Sequence, residues 1–187
     1  MKQQSNMIIQ QGWLNPVQRN PSENTDKRPD ASDISLIVIH GISLPPGEFG
    51  GEYIDQLFCN SLDPDAHPYF REIYQLRVSS HLLIKRDGAI TQYVPFDQRA
   101  WHAGISNYKG RQQCNDYSIG IELEGSDDMA YTDAQYEMLN TVIAVMRTAF
   151  PMIGKNDIVG HCHIAPGRKT DPGTSFEWAK IGHPELD

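Results

Sequence analysis

Cysteine is scarce in this chain: Cys59, Cys114 and Cys162 are the only three among 187 residues. An odd number without framework spacing excludes a disulfide-built scaffold and fits reduced thiols in a cytoplasm. Long apolar runs are missing as well. The opening stretch, Met1 to Gln11, is polar with one lysine and no apolar core of secretory length, so no signal peptide is expected. No later segment approaches the length of a membrane span. Basic residues are outnumbered, with 16 Lys and Arg against 24 Asp and Glu, for a net charge of -8. Nucleic-acid binders normally present a basic face, so that class is excluded. Repeats and low-complexity tracts are absent, and the length fits one domain with no room for a second. The expectation is a cytoplasmic monomer with neither nucleic acid nor membrane as partner, and the charge says nothing against an uncharged or amphoteric ligand.

What is present concentrates near one loop. Gly160-His161-Cys162-His163 and Arg168-Lys169-Thr170-Asp171-Pro172-Gly173 gather imidazoles, a thiol, two cations and a carboxylate. Imidazole nitrogen and carboxylate oxygen both suit zinc, and a catalytic zinc site needs only three protein ligands. If residues 157 to 163 form a strand, His161 and His163 share a face and either could ligate, while Cys162 points the opposite way as a buried structural residue. Pro166, Gly167, Pro172 and Gly173 make the following segment a loop that can fold back and present Asp171.

Upstream, residues 1 to 31 are polar and carry Pro16, Pro21 and Pro29, which reads as an arm packed on the domain. Residues 34 to 39 are almost wholly apolar and β-branched, as a strand covered on both faces should be. That strand is expected to end at His40, before Gly41 and a Pro/Gly loop, where active-site residues gather in α/β sheets. Residues 52 to 59 have helical spacing. Arg86-Asp87-Gly88 makes a hairpin turn between two strands, so antiparallel pairs are expected. From Ile119 the chain alternates, with Ile119, Ile121 and Leu123 on one face and Gly120, Glu122 and Glu124 on the other. Thr132 and Gln135 form a capping box for one long helix, which Pro151 closes.

His40, His161 and Asp171 with Glu122 amount to the parts of a zinc hydrolase: three ligands, an open side and a general base. Over nearly the whole chain, from Gly12-Trp13 to Trp178, the sequence resembles the zinc-dependent N-acetylmuramoyl-L-alanine amidase superfamily, which also contains a phage lysozyme and the peptidoglycan recognition proteins. The motifs that carry the resemblance are residues 42 to 51, 93 to 97, 119 to 125, 160 to 162 and 168 to 173. It implies an α/β fold, one domain over residues 32 to 187 with a mixed parallel and antiparallel sheet flanked by helices and zinc at the strand ends. It implies His40, His161 and Asp171 as Zn2+ ligands, choosing His161 over His163 because the family keeps the histidine after the glycine. Glu122 matches the catalytic base and Lys169 the cation that stabilises the oxyanion. Tyr69 aligns near the active site, Trp101 would lie along the sugar, and Arg77 would meet a stem-peptide carboxylate. The implied substrate is an anhydro-muropeptide, cut between 1,6-anhydro-N-acetylmuramic acid and L-alanine in cytoplasmic peptidoglycan recycling, with an indirect influence on β-lactamase induction. Two residues depart from the pattern: Gly41 stands where asparagine is expected, and Gln113 where a basic residue is. Two rival readings are a muropeptide-binding module without catalysis and a periplasmic amidase acting on intact wall. Asp171, Glu122 and Lys169 speak against the first, the missing signal sequence against the second.

Overall fold

The computed structural model describes residues 7–186, so Met1–Asn6, the start of the expected arm, lie outside the described residues. Its frame is a six-stranded sheet. In chain order the strands are β1 (Gln18–Arg19), β2 (Leu36–Ile42), β3 (Leu82–Ile84), β4 (Ile90–Gln92), β5 (Ser118–Glu124) and β6 (Ile158–Gly160). They lie side by side as β6-β2-β5-β3-β4-β1. The four neighbours β6, β2, β5 and β3 run parallel, β4 turns back antiparallel to β3 through the Asp87-Gly88 turn, and β1 is parallel to β4. The sheet is therefore mixed, as the hairpin signal requires.

Its two faces are covered differently, and alternation decides which residues go where. Ile37 and Ile39 of β2, with Ile119, Ile121 and Leu123 of β5, pack against Leu139, Val142 and Met146 of the helix α3 (Asp133–Ala149). All three helix residues are fully buried, and each such burial stabilises the fold by about 2 kcal/mol. Thr132 caps α3: its hydroxyl accepts the Gln135 N–H while the Gln135 side chain accepts the Thr132 N–H.

On the opposite face two smaller clusters leave a gap between them. One joins Leu36, Val38 and Val159 to Ala103, Cys114, Tyr117 and Ile164. The other packs α1 (Tyr53–Phe58) and α2 (Phe70–Ile73) against Leu83, Tyr93 and Val94. The N-terminal residues contribute backbone as well as cover: Ile8–Gln10 pairs with Trp13–Asn15, and Thr25–Lys27 pairs with Gln98–Ala100. Arg28, buried, ties them down by donating to the carbonyls of Phe96, Asn115, Asp116 and Ser118 at 2.7–3.1 Å, which satisfies a charge that burial alone would penalise heavily.

Two local expectations change. Strand β2 does not end at His40 but runs two residues on to Ile42, because β5 continues to pair with it as far as Glu124. The segment 157 to 163 is not one strand: β6 stops at Gly160, and His161–Ile164 forms the short helix α4.

Candidate metal centre and cleft

His40 pairs directly with Glu122 in the parallel register of β2 and β5. Because Ile39 and Ile121 face α3, both polar side chains emerge into the gap on the other side. His161 is the first residue of α4, placed where the chain leaves β6. The Pro/Gly loop brings Asp171 back to the same point, held by the Cys162 N–H donating to the Asp171 carbonyl at 3.0 Å. The convergence is tight: Asp171 Oδ2 lies 3.0 Å from His40 Nδ1 and 3.1 Å from His161 Nδ1. One ligand atom from each of the three lies within 4.8 Å of the others.

The chemistry of this donor set fits a divalent metal ion. His161 Nε2 lies 3.0 Å from the Ala103 carbonyl, an acceptor, and 3.3 Å from Arg168 Nη2, whose own protons go to the carbonyls of Ala103 and Ile105 at 2.7 Å; with the ring proton on Nε2, a neutral ring keeps a lone pair at Nδ1. That lone pair faces a carboxylate oxygen, and two electron pairs so close repel unless a proton or a cation lies between them. A divalent ion satisfies both imidazoles and the carboxylate at once, with one side open to the cleft. Burial pushes His40 down to about 4, which keeps it in the neutral form that ligates metal.

The open side is a cleft of about 440 Å³ whose walls include His40, Tyr69, Trp101, Glu122, Lys169 and Asp171. Glu122 is buried, and burial first, then the charge of Asp171, pushes its carboxyl well above the usual carboxylate range, with Lys169 opposing. A metal cation acts in the same direction as Lys169. Glu124, on the same face of β5, does something else: its carboxylate accepts from the backbone N–H of Gly50 and, at 3.1 Å, of Arg86. It fastens the loop after β2 to the β3–β4 hairpin.

Of the other expected site residues, Tyr69 and Trp101 line the cleft half-buried, and Lys169 lines it with its side chain exposed. Arg77 is not brought to the wall: it is exposed, 3.4 Å from the Gln75 carbonyl, while its neighbours Leu76 and Val78 do line the cleft. His163 is turned away, its Nδ1 accepting the Gly160 N–H at 2.9 Å and its ring lying against Trp178. Cys162 is half-buried rather than buried.

Sequence reasoning missed Tyr131. Its hydroxyl donates to the Pro172 carbonyl at 2.9 Å, beside Asp171, and a Cβ on Gly41 would lie 2.3 Å from that hydroxyl. The glycine at 41 is thus matched to a tyrosine 90 positions away, a pairing that no local signal carries. Gln113 lies outside the cleft, in a separate groove with Ile105 and Arg168.

Comparisons with known proteins agree with this geometry. A family model described as N-acetylmuramoyl-L-alanine amidase matches residues 30–174. The 1,6-anhydro-N-acetylmuramyl-L-alanine amidase AmpD of Citrobacter freundii is 60% identical over 175 residues, 94% of this chain and 93% of that one. A crystal structure of an AmpD derivative superposes with a TM-score of 0.91 at 60% identity, covering 94% of this chain and 97% of that one. The amidase AmiD of Escherichia coli, solved in complex with anhydro-N-acetylmuramic acid-L-Ala-D-gamma-Glu-L-Lys, aligns with a TM-score of 0.57 at 25% identity, over 96% of this chain and 66% of that one. With its metal-type triad, its cleft and these similarities, the chain belongs to the N-acetylmuramoyl-L-alanine amidase family.

Proposed function

We propose that this amidase is zinc-dependent and hydrolyses the amide between the lactyl group of 1,6-anhydro-N-acetylmuramic acid and the L-alanine of the stem peptide. The observation that carries the reading is the register of Glu122 beside His40, which sets a carboxyl with a raised proton affinity on the wall of the cleft next to the triad. His40, His161 and Asp171 would hold the zinc ion, which would supply Lewis acidity toward the amide carbonyl and the attacking water. Glu122 takes the proton of that water and hands it to the departing amine of L-alanine. Lys169, free to reach into the cleft, offsets the negative charge that grows on the carbonyl oxygen. Trp101 offers a flat surface to the sugar, and Tyr69 lines the same cleft. Arg77, outside the wall, meets a carboxylate farther along the stem peptide, where a guanidinium fork suits it.

The resemblance to amidases named for the anhydro sugar supports the substrate, and the acidic balance of the chain speaks against nucleic acid as a partner. No helix among the described residues is long and apolar enough to cross a membrane. We place the protein in the cytoplasm as a monomer, where its turnover of muropeptides would also set the level of the signal for β-lactamase induction. The position of Glu122 beside the triad favours an amidase over a module that only binds muropeptide. The test compares rates of the zinc-loaded protein on an anhydro-muropeptide and on the same peptide carrying the non-anhydro sugar. Faster release of the peptide from the anhydro sugar is expected; equal rates would remove the sugar specificity, and no release from either would remove the catalytic reading.

A further inference from the structure

We propose that His102 is a positioning residue for the metal centre: its Nδ1 accepts the Nε2–H of His40 and so fixes the tautomer that leaves His40 Nδ1 for the ion. This rests on the zinc reading above and adds a residue that the ligand set does not contain. His40 Nε2 and His102 Nδ1 are 2.9 Å apart, with the two rings edge to face at 86°. Only one of the two nitrogens can hold the proton. If His102 donated, a neutral His40 would carry its proton on Nδ1, pointing at Asp171, and could not ligate there. With His40 as donor, the proton of His102 lies on Nε2, where Ser118 Oγ stands 3.2 Å away to receive it.

The fold makes room for this arrangement at some expense in sequence freedom. The His102 ring lies against β5 at Gly120, where a Cβ would come within 2.5 Å of the ring. Asn115 Oδ1 holds the backbone behind it, accepting from the N–H of His102 at 3.2 Å and of Ala103 at 2.8 Å. The Ala103 carbonyl in turn receives His161 Nε2–H. Two consecutive residues, 102 and 103, thus orient both histidine ligands, one through a ring nitrogen and the other through a carbonyl. Partners of this kind outside the ligand set fix tautomer and ring orientation in metal sites.

Zinc affinity, measured by competition with a chromophoric chelator on the full-length protein stripped and reloaded, reads this directly. In His102→Asn the amide oxygen stands where Nδ1 was; in His102→Gln it is displaced by one methylene. Both are polar and similar in size, so a mere packing role would not separate them. Zinc affinity near the wild-type value is expected for His102→Asn, and a loss of about 10- to 100-fold for His102→Gln, with matching far-ultraviolet dichroism. Gly120→Ala, which displaces the ring without removing it, is expected to weaken zinc in the same sense. Equal affinities for His102→Gln and wild type would overturn the proposal, as would equal losses for the Asn and Gln variants. A wild-type protein that takes up no zinc would instead overturn the metal reading on which it rests.

Discussion

Glu122→Gln is expected to keep its zinc and its affinity for muropeptide while turning over about 10²-fold or more slowly, the usual scale for losing a general base. The amide is nearly the same size as the acid and still fits between His40 and the cleft, so the ligands are undisturbed; what it cannot do is accept a proton. Glu124→Gln is the comparison, because the two carboxylates share one strand and one face. Its side chain ends on the backbone N–H groups of Gly50 and Arg86, so the cost there is stability, about 1.5 kcal/mol for a weakened charged hydrogen bond, with turnover close to wild type. Single-turnover kinetics and chemical denaturation of the two variants separate these effects. Near-normal turnover in a zinc-replete Glu122→Gln protein would reassign the base.

His161→Ala is expected to lose stoichiometric zinc and, with it, essentially all activity, whereas His163→Ala retains both. The two histidines are two residues apart, yet His161 Nδ1 faces Asp171 and His163 Nδ1 is taken by the Gly160 N–H. Removing the first leaves one imidazole and one carboxylate, too few for a zinc site of this kind. Metal analysis checks the content, and thermal unfolding gives a second reading: a ligand at a thousand times its dissociation constant adds about 4 kcal/mol to wild-type stability, a gain that added zinc should no longer produce in His161→Ala. Zinc lost from His163→Ala and kept by His161→Ala would show that the wrong histidine had been assigned.

The sheet and the main helix were legible because their signals are local. The apolar run before His40, the alternation from Ile119 to Leu123, the Asp87-Gly88 turn and the Thr132–Gln135 box each specify an element without help from distant residues. Alternation also put Glu122 on the face opposite Ile121, which is where it lies. It failed at 157 to 163: the period-2 argument needs a strand, and the chain leaves the sheet at Gly160, so His161 and His163 part company through helix geometry instead. Choosing between them took the family resemblance. The resemblance gave Arg77 a stem-peptide carboxylate as its partner; its side chain is exposed and not among the residues that line the cleft. The least legible features are contacts between residues far apart in sequence. The hydroxyl of Tyr131 in the space above Gly41, the ring of His102 against Gly120, and the two-residue polar strand β1 at the sheet edge leave no periodicity or motif to read, since only the folded backbone brings their partners together.

One measurement bears most directly on zinc-dependent cleavage of this bond: mass analysis of an anhydro-muropeptide after incubation with the metal-stripped protein and with the same sample reconstituted with zinc. Intact substrate in the first and, in the second, free anhydro-N-acetylmuramic acid with a peptide that begins in a free L-alanine amine is the expected result. Cleavage at any other bond, or equal cleavage by the stripped protein, would contradict it.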